Sequence, residues 1–215
     1  MAEYDAMLEP FTLKGITFRN RVMSTSHAPG YGDDGKPGER YQLYHAEKAK
    51  GGIGLSMFGG STTFSVDCPA IEYNQLFAGD DSIVPHLQAF ADRMHGHGAK
   101  LMCQLVHQGR KVQWDLDPWL PPISASRVRE PFHRSYPKEM DAFDIRRVVR
   151  DFGQAARRCK EGGLDGFEVQ GGFQLLVDSF FTPLANQRTD EYGGNLENRC
   201  RFGIEVFEEI RKQVG

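Results

Sequence analysis

Three stretches place hydrogen-bonding side chains where a run of apolar residues ends. "KLMCQLVHQGR" (100–110) carries Gln104 and His107, "RVMSTSHAPG" (21–30) carries Ser26 and His27, and "FEVQGGFQLL" (167–176) carries Gln170. A carboxamide holds two donors and an acceptor, so Gln104 can meet the edge of a heteroaromatic ring that alternates N–H and C=O. "FGGST" (58–62) adds Gly59 and Gly60, whose missing side chains let backbone approach a flat ligand closely. His27 and His107 can contact a ligand or cap a loop, and neither has the spaced partners of a metal site. No G-x-S-x-G elbow or G-x-x-x-x-G-K phosphate loop is present. "GGIG" (51–54) lies between a helix pattern and a strand pattern, the reverse of a dinucleotide fingerprint.

The elements that must position these residues alternate in kind. Apolar runs at 21–26, 53–60, 100–107 and 164–170 read as strands, each buried-looking, as parallel strands covered on both faces are. Between them lie helical patterns. Residues 38–50 form a first helix, and Ile83, Leu87, Phe90 and Met94 stripe a second. Ile145, Val148, Val149, Phe152, Ala156 and Cys159 mark a third. A fourth, 197–214, repeats Phe202, Val206, Ile210 and Val214, with Phe207 widening the stripe. Two β-like runs around Lys14-Gly15 predict an N-terminal hairpin. Residues 108–140 form the longest irregular stretch.

This βα order predicts an α/β fold with a parallel sheet, and the strand ends would share the face where parallel barrels bind ligands. Four βα units do not close an eight-stranded barrel. The 215 residues are therefore read as the front half of something longer rather than as a four-stranded doubly wound sheet. Bare outer strands predict self-association.

Composition narrows the partners. The chain is 40% hydrophobic with a net charge of −3, and its cations are scattered among acids, which gives no footprint for nucleic acid or a membrane surface. No apolar run is long enough to span a bilayer and "MAEYDAMLEPF" lacks a secretory pattern, so the expected location is cytoplasmic. Cys68, Cys103, Cys159 and Cys200 include no C-x-x-C pair, arguing for reduced structural thiols.

"SFFTPLANQRTDEYGGNLENRCRF" (179–202), with "FRNRVMSTSHA", "KAKGGIGLSMFGGS" and "LMCQLVHQGRK", resembles Old Yellow Enzyme family flavoproteins over essentially the whole chain. The resemblance implies a (β/α)8 TIM barrel binding FMN. Residues 1–215 would be the N-terminal part of that single FMN-binding domain, comprising the hairpin and about four βα units. It places Ser26, His27, Ala28 and Gly60 against the flavin, Gln104 on its pyrimidine edge, and Gln170 near flavin and substrate. The polar loop at 186–201 would be mainly architectural.

Ene reductases of this family hold a substrate carbonyl with a His and a His or Asn, and protonate with a Tyr. The corresponding positions here read Gln170, Phe173 and Leu175, and the last two neither polarise a carbonyl nor supply a proton. "HRSYPKEMDAFDI" and "AARRCKEGGLDG" look like the branch that oxidises N-methyl amines, including trimethylamine and dimethylamine dehydrogenases and N-methylproline or dimethylglycine demethylases. Amine oxidation needs no carbonyl clamp, and Phe173 could contact a cationic amine by cation–π attraction. Ala28 stands where the trimethylamine branch bonds FMN through Cys, which implies non-covalent FMN.

The expected function is FMN-dependent oxidative N-demethylation of a small amine or amino acid. The alternatives are NAD(P)H-dependent ene reduction, as in dienoyl-CoA reductases, and an inert half-barrel fragment. An iron–sulfur cluster and FAD, which many relatives of the amine branch carry, would belong to a longer parent chain. The isolated piece is expected to bind FMN poorly, because the family's phosphate site and a flavin-side Arg lie beyond Gly215.

Overall fold

The computed structural model describes residues 5–68, 74–111 and 120–215. The start of the N-terminal segment (1–4) and the Trp-bearing part of the stretch read as irregular (112–119) lie outside them. After a short helix, α1 (Asp5–Leu8), the expected hairpin forms from β1 (Phe11–Leu13) and β2 (Ile16–Phe18), with Phe11 opposite Phe18 and Leu13 opposite Ile16. Its two turn residues, Lys14 and Gly15, have φ of 48° and 84°. Positive φ at both central positions matches the right-handed twist of the flanking strands.

The chain then enters β3 (Met23–Ser24), α2 (Glu39–Lys50), β4 (Leu55–Thr62), α3 (Val84–Gly96) and β5 (Lys100–Leu105). A two-residue parallel pair follows, β6 (Ile123–Ser124) with β7 (Lys138–Glu139), and then α4 (Ala142–Glu161), β8 (Gly166–Val169), α5 (Leu176–Phe181) and α6 (Leu196–Val214). The main sheet is parallel in the order β3-β4-β5-β8, so chain neighbours are spatial neighbours and every strand ends on the same side. This is the succession of βα units expected of a partial α/β barrel.

Strand alternation divides the sheet. On β5, Leu101, Cys103 and Leu105 are buried at 0–1% exposure and belong to the core shared with the helices. Met102 and Gln104 occupy the alternate positions and face the other way. The helices answer with their stripes: Leu87, Phe90 and Met94 of α3, Val148, Phe152 and Cys159 of α4, and Phe202, Val206 and Ile210 of α6 are all buried. Phe64 packs on Phe152 at 4.4 Å between centroids, and Phe180 stacks on Phe202 at 4.3 Å.

Several expectations need correction. β3 pairs over two residues rather than six, because beyond Ser24 the chain turns towards α2 and leaves the ladder. β4 runs two residues further than read. Gly59 and Gly60, at φ of 105° and 53°, fall where its register with β5 shifts between Phe58 and Thr62. The strands do not all lie buried: Met23 of β3 and Glu168 of β8 are exposed, since these are the outer strands of the sheet. Phe207 is 54% exposed. It lies one residue round the helix from Val206, on a face that no described element covers, so it does not widen the stripe. The stretch read as irregular contains β6 and β7, and α5 occupies what reads as loop.

The polar segment between α5 and α6 is a hydrogen-bonded frame. Asn186, 6% exposed, donates through Nδ2 to the carbonyls of Phe180 (2.8 Å) and Tyr192 (2.7 Å) and accepts from the Arg188 N–H at 3.1 Å. Arg188 reaches the carbonyls of Ala125 (3.0 Å) and Met140 (2.7 Å), which pins the β6–β7 excursion. Asn195 caps α6 by accepting from the Asn198 N–H.

At the strand ends a buried ionic cluster joins three units. Asp67, after β4, accepts from His107 Nε2 at 3.0 Å and pairs with Arg147 of α4, which also donates to Ser65 Oγ at 2.7 Å. Nδ1 of His107 accepts from the Gly109 N–H at 3.0 Å, which leaves Nε2 as the donor to Asp67. Burial alone would raise the Asp67 carboxyl, but the hydrogen bonds from His107 and Arg147 and the Arg147 charge outweigh it and hold the group far below the usual carboxylate range.

Two predictions follow from these contacts. The Asp67 contribution is complete above the unfolded carboxylate pKa and is lost as pH falls through the lowered folded value. Asp67→Asn should therefore cost ~3–5 kcal/mol in urea unfolding at pH 7, with the gap to wild type shrinking below about pH 4; a gap independent of pH contradicts the assignment. Asn186→Ala should cost about 2–4 kcal/mol, since two buried carbonyls lose their donor. A change under about 0.5 kcal/mol, the size of an ordinary surface substitution, would show that the frame does not depend on it.

Candidate cofactor and substrate cavity

The side chains that the strands turn away from the helices converge on one cavity of about 610 Å³. Met23 and Thr25 come from β3 and the residues after it, Met57 from β4, Gln104 from β5, and Glu168 and Gln170 from β8 and its end. Ser26, Gly60, Lys111, Phe173 and Leu175 complete the lining. This volume is in the range of small-molecule and cofactor sites, roughly 300–1,000 Å³.

Gln104 is 6% exposed and stands opposite Glu168 in the β5–β8 register, where its Nε2 donates to the Glu168 carboxylate. With Nε2 engaged, Oε1 is the end of the carboxamide that can accept from a ring N–H. Gln170 Oε1 accepts from the Gly172 N–H at 3.1 Å, which leaves its NH2 able to donate. The bulge at Gly59–Gly60 is supported from behind by Tyr41, whose hydroxyl accepts from the Gly59 N–H at 3.2 Å. A Cβ on Gly60 would lie 2.1 Å from the carbonyl carbon of His27, so glycine is required for the β4 end to close on the β3 loop.

Of the residues singled out from sequence, Ser26, Gly60, Gln104, Gln170 and Phe173 meet in this cavity. The His27 ring is engaged elsewhere: Nε2 lies 2.9 Å from the Tyr44 hydroxyl and 3.3 Å from Lys48 Nζ, both on α2. Ala28 is exposed, beside the backbone contact with Gly60. His107 belongs to the ionic cluster. Behind β4, burial and then the Lys48 charge push the pKa of His45 down to about 3, and its Nδ1 pairs with Ser56 Oγ at 2.8 Å.

Sequence reasoning missed Met23, Thr25, Met57, Lys111 and Glu168. Glu168 was within reach, because period-two alternation puts it on the same face as Gln170. Lys111 carried no such signal; it arrives through the 3-10 turn Gly109–Lys111.

The segment after β8 holds two consecutive non-glycine residues at positive φ, Phe173 at 59° and Gln174 at 60°. Such backbone costs of order 1–3 kcal/mol per residue and persists only where its surroundings hold it. Here the Gln174 N–H donates to Asp178 Oδ2 at 2.7 Å, Arg110 donates to Gln174 Oε1 at 3.3 Å, and Lys111 Nζ donates to the Phe173 carbonyl at 3.1 Å. The result presents Phe173 at 77% exposure.

Comparison with known proteins supports this architecture. The chain is 54% identical over 214 residues to a multifunctional alkene reductase/demethylase of Caballeronia cordobensis, a match covering 100% of this chain and 32% of that protein. It is 46% identical over 213 residues to an N,N-dimethylglycine/sarcosine dehydrogenase of Chromohalobacter salexigens, covering 99% of this chain and 31% of that protein. The chain thus spans about a third of the length of these relatives. Histamine dehydrogenase from Rhizobium sp. 4-9 superposes with a TM-score of 0.89 at 29% identity, over 98% of this chain and 32% of that one. The family profile described as NADH:flavin oxidoreductase / NADH oxidase matches residues 6–215, and the chain belongs to that family.

Proposed function

We propose that residues 1–215 are the N-terminal part of a single FMN-binding barrel domain whose activity is oxidative N-demethylation of a small amine or amino acid. The observation that carries this reading is the lining beyond β8, where Phe173 and Leu175 stand in the cavity and no histidine or tyrosine is among the described lining residues. Ene reductases that this chain resembles polarise a carbonyl and deliver a proton from the positions that read Gln170, Phe173 and Leu175 here; Gln170 keeps one hydrogen-bond donor, and Phe173 and Leu175 supply neither group. Removing a hydride from an N-methyl carbon needs neither.

The residues present fit a flavin ring. Gln104 offers its carboxamide oxygen to an N–H of the ring edge, Gln170 offers an NH2 donor, and the bulge at Gly59–Gly60 brings bare backbone to the strand ends. Ser26 lines the same face, with the backbone of His27 and Ala28 beside Gly60. The absence of a thiol at Ala28 accords with non-covalent binding. Bound there, FMN would supply the acceptor for a hydride from an N-methyl carbon, after which water converts the resulting iminium to formaldehyde and the demethylated amine. Met57 and Leu175 present apolar surface, and Phe173 contributes an aromatic face to the substrate side.

A second reading, NAD(P)H-dependent ene reduction, is favoured by one observation: the Caballeronia relative is named for both alkene reduction and demethylation. Turnover separates the two. The FMN-loaded protein, assayed as the complete barrel of which residues 1–215 are proposed to be part, should release formaldehyde from N-methyl substrates faster than it consumes the enone absorbance of an activated alkene with NAD(P)H, and the opposite order would overturn the demethylase reading. Gln104→Ala should weaken FMN binding by roughly five- to tenfold, the worth of one net hydrogen bond; unchanged affinity would remove Gln104 from the ring edge.

A further inference from the structure

Lys111 and Glu168 are the charged residues among the described lining of the cavity, and they are not equivalent. Glu168 already takes a hydrogen bond from Gln104. The Lys111 ammonium makes no ion pair with a described carboxylate. It donates to the Phe173 carbonyl at 3.1 Å and lies 5.8 Å from the centroid of the Phe132 ring. A lysine has three N–H donors, so one can remain on Phe173 while another takes an incoming oxygen.

The geometry points to Lys111 as a specificity-determining residue that binds a substrate carboxylate, so that the favoured substrate is an N-methylated amino acid rather than a simple amine. This rests on the demethylase reading above. Four observations converge on it. Lys111 is in the lining of the cavity together with Phe173, and its ammonium donates to the Phe173 carbonyl. Its partners among the described residues are a neutral carbonyl and a ring, both weaker than a carboxylate, which would form a charge-assisted hydrogen bond. A cationic amine without a carboxylate meets the Lys111 charge here, offset within the described lining only by Glu168, which Gln104 already engages, and this disfavours an aromatic cage for bare ammonium ions at Phe173. Finally, the Lys111 bond to the Phe173 carbonyl fixes a residue at positive φ, so the same side chain sets the substrate-facing aromatic and supplies the anchoring charge.

The test uses the FMN-loaded protein with a matched pair, N,N-dimethylglycine and N,N-dimethylethylamine, which differ in the carboxylate. Wild type should prefer the amino acid in kcat/KM. In Lys111→Met the ratio of the two kcat/KM values should fall by about ten- to a hundredfold, the worth of a hydrogen bond to a charged group, chiefly through the KM of the amino acid. Lys111→Arg should keep the preference. An equal ratio in wild type and Lys111→Met overturns the proposal.

A second readout is independent of turnover. Trimethylglycine, which carries the carboxylate but no nitrogen lone pair, should perturb the flavin absorbance of wild type at concentrations at least about tenfold below those needed for Lys111→Met. If neither amine yields formaldehyde, the demethylase reading fails, while a trimethylglycine response weakened in Lys111→Met still supports the carboxylate site. Identical responses in the two proteins overturn it.

Discussion

The buried pairing of Asp67 with His107 and Arg147 is the constraint on which the working end of the sheet depends. Parallel strands release their chains at one edge, and loops there tend to wander unless something ties them down. Here one carboxylate joins the segment after β4, the segment after β5 and the face of α4. His107 extends the tie further. Its ring accepts from the Gly109 N–H, which sets the turn that delivers Arg110 and Lys111, and its carbonyl accepts from the Leu176 N–H at 3.0 Å, which seats α5. Ionic groups buried in this way are costly to desolvate and repay it only with full hydrogen bonding. Asp67 has that from both partners.

From that edge the cavity follows. Alternation on four strands sends Leu101, Cys103 and Leu105 to the helices and Met57, Gln104 and Glu168 to the other face. Two segments then shape the opening. One is the glycine bulge at Gly59–Gly60, which needs absent side chains so that the β4 end can meet the His27 backbone. The other is the Phe173–Gln174 segment, which keeps its side chains at the cost of a left-handed backbone and is held by Arg110, Lys111 and Asp178. Two consecutive non-glycine residues at positive φ beside a cavity persist because their surroundings hold them.

Much of this was legible in the chain, and the reasons are physical. Helix stripes such as Leu87, Phe90 and Met94 are dictated by a 3.6-residue period and a covered face. The polar segment before α6, which the family resemblance marks as architectural, is a frame in which Asn186 and Arg188 satisfy backbone carbonyls. Phe207 read wrongly, since periodicity reports a stripe but not which neighbour covers its edge. The β6–β7 pair and α5 escaped because two to six residues carry too little periodicity to register. Of the cavity lining, Ser26, Gly60, Gln104, Gln170 and Phe173 are the residues that strand ends and the family resemblance singled out. Lys111 is not among them, because a tertiary turn brings it to Phe173 across 62 residues of sequence.

The central claim is that the strand-end cavity receives a flavin whose ring edge meets Gln104. A crystal structure of the FMN-loaded protein tests it most directly. The account predicts the isoalloxazine ring in the cavity, its pyrimidine edge within hydrogen-bonding distance of the Gln104 carboxamide and its face beside Gly60 and Ser26. A ring bound elsewhere, or a Gln104 carboxamide that keeps only its Glu168 contact with the flavin in place, would contradict it.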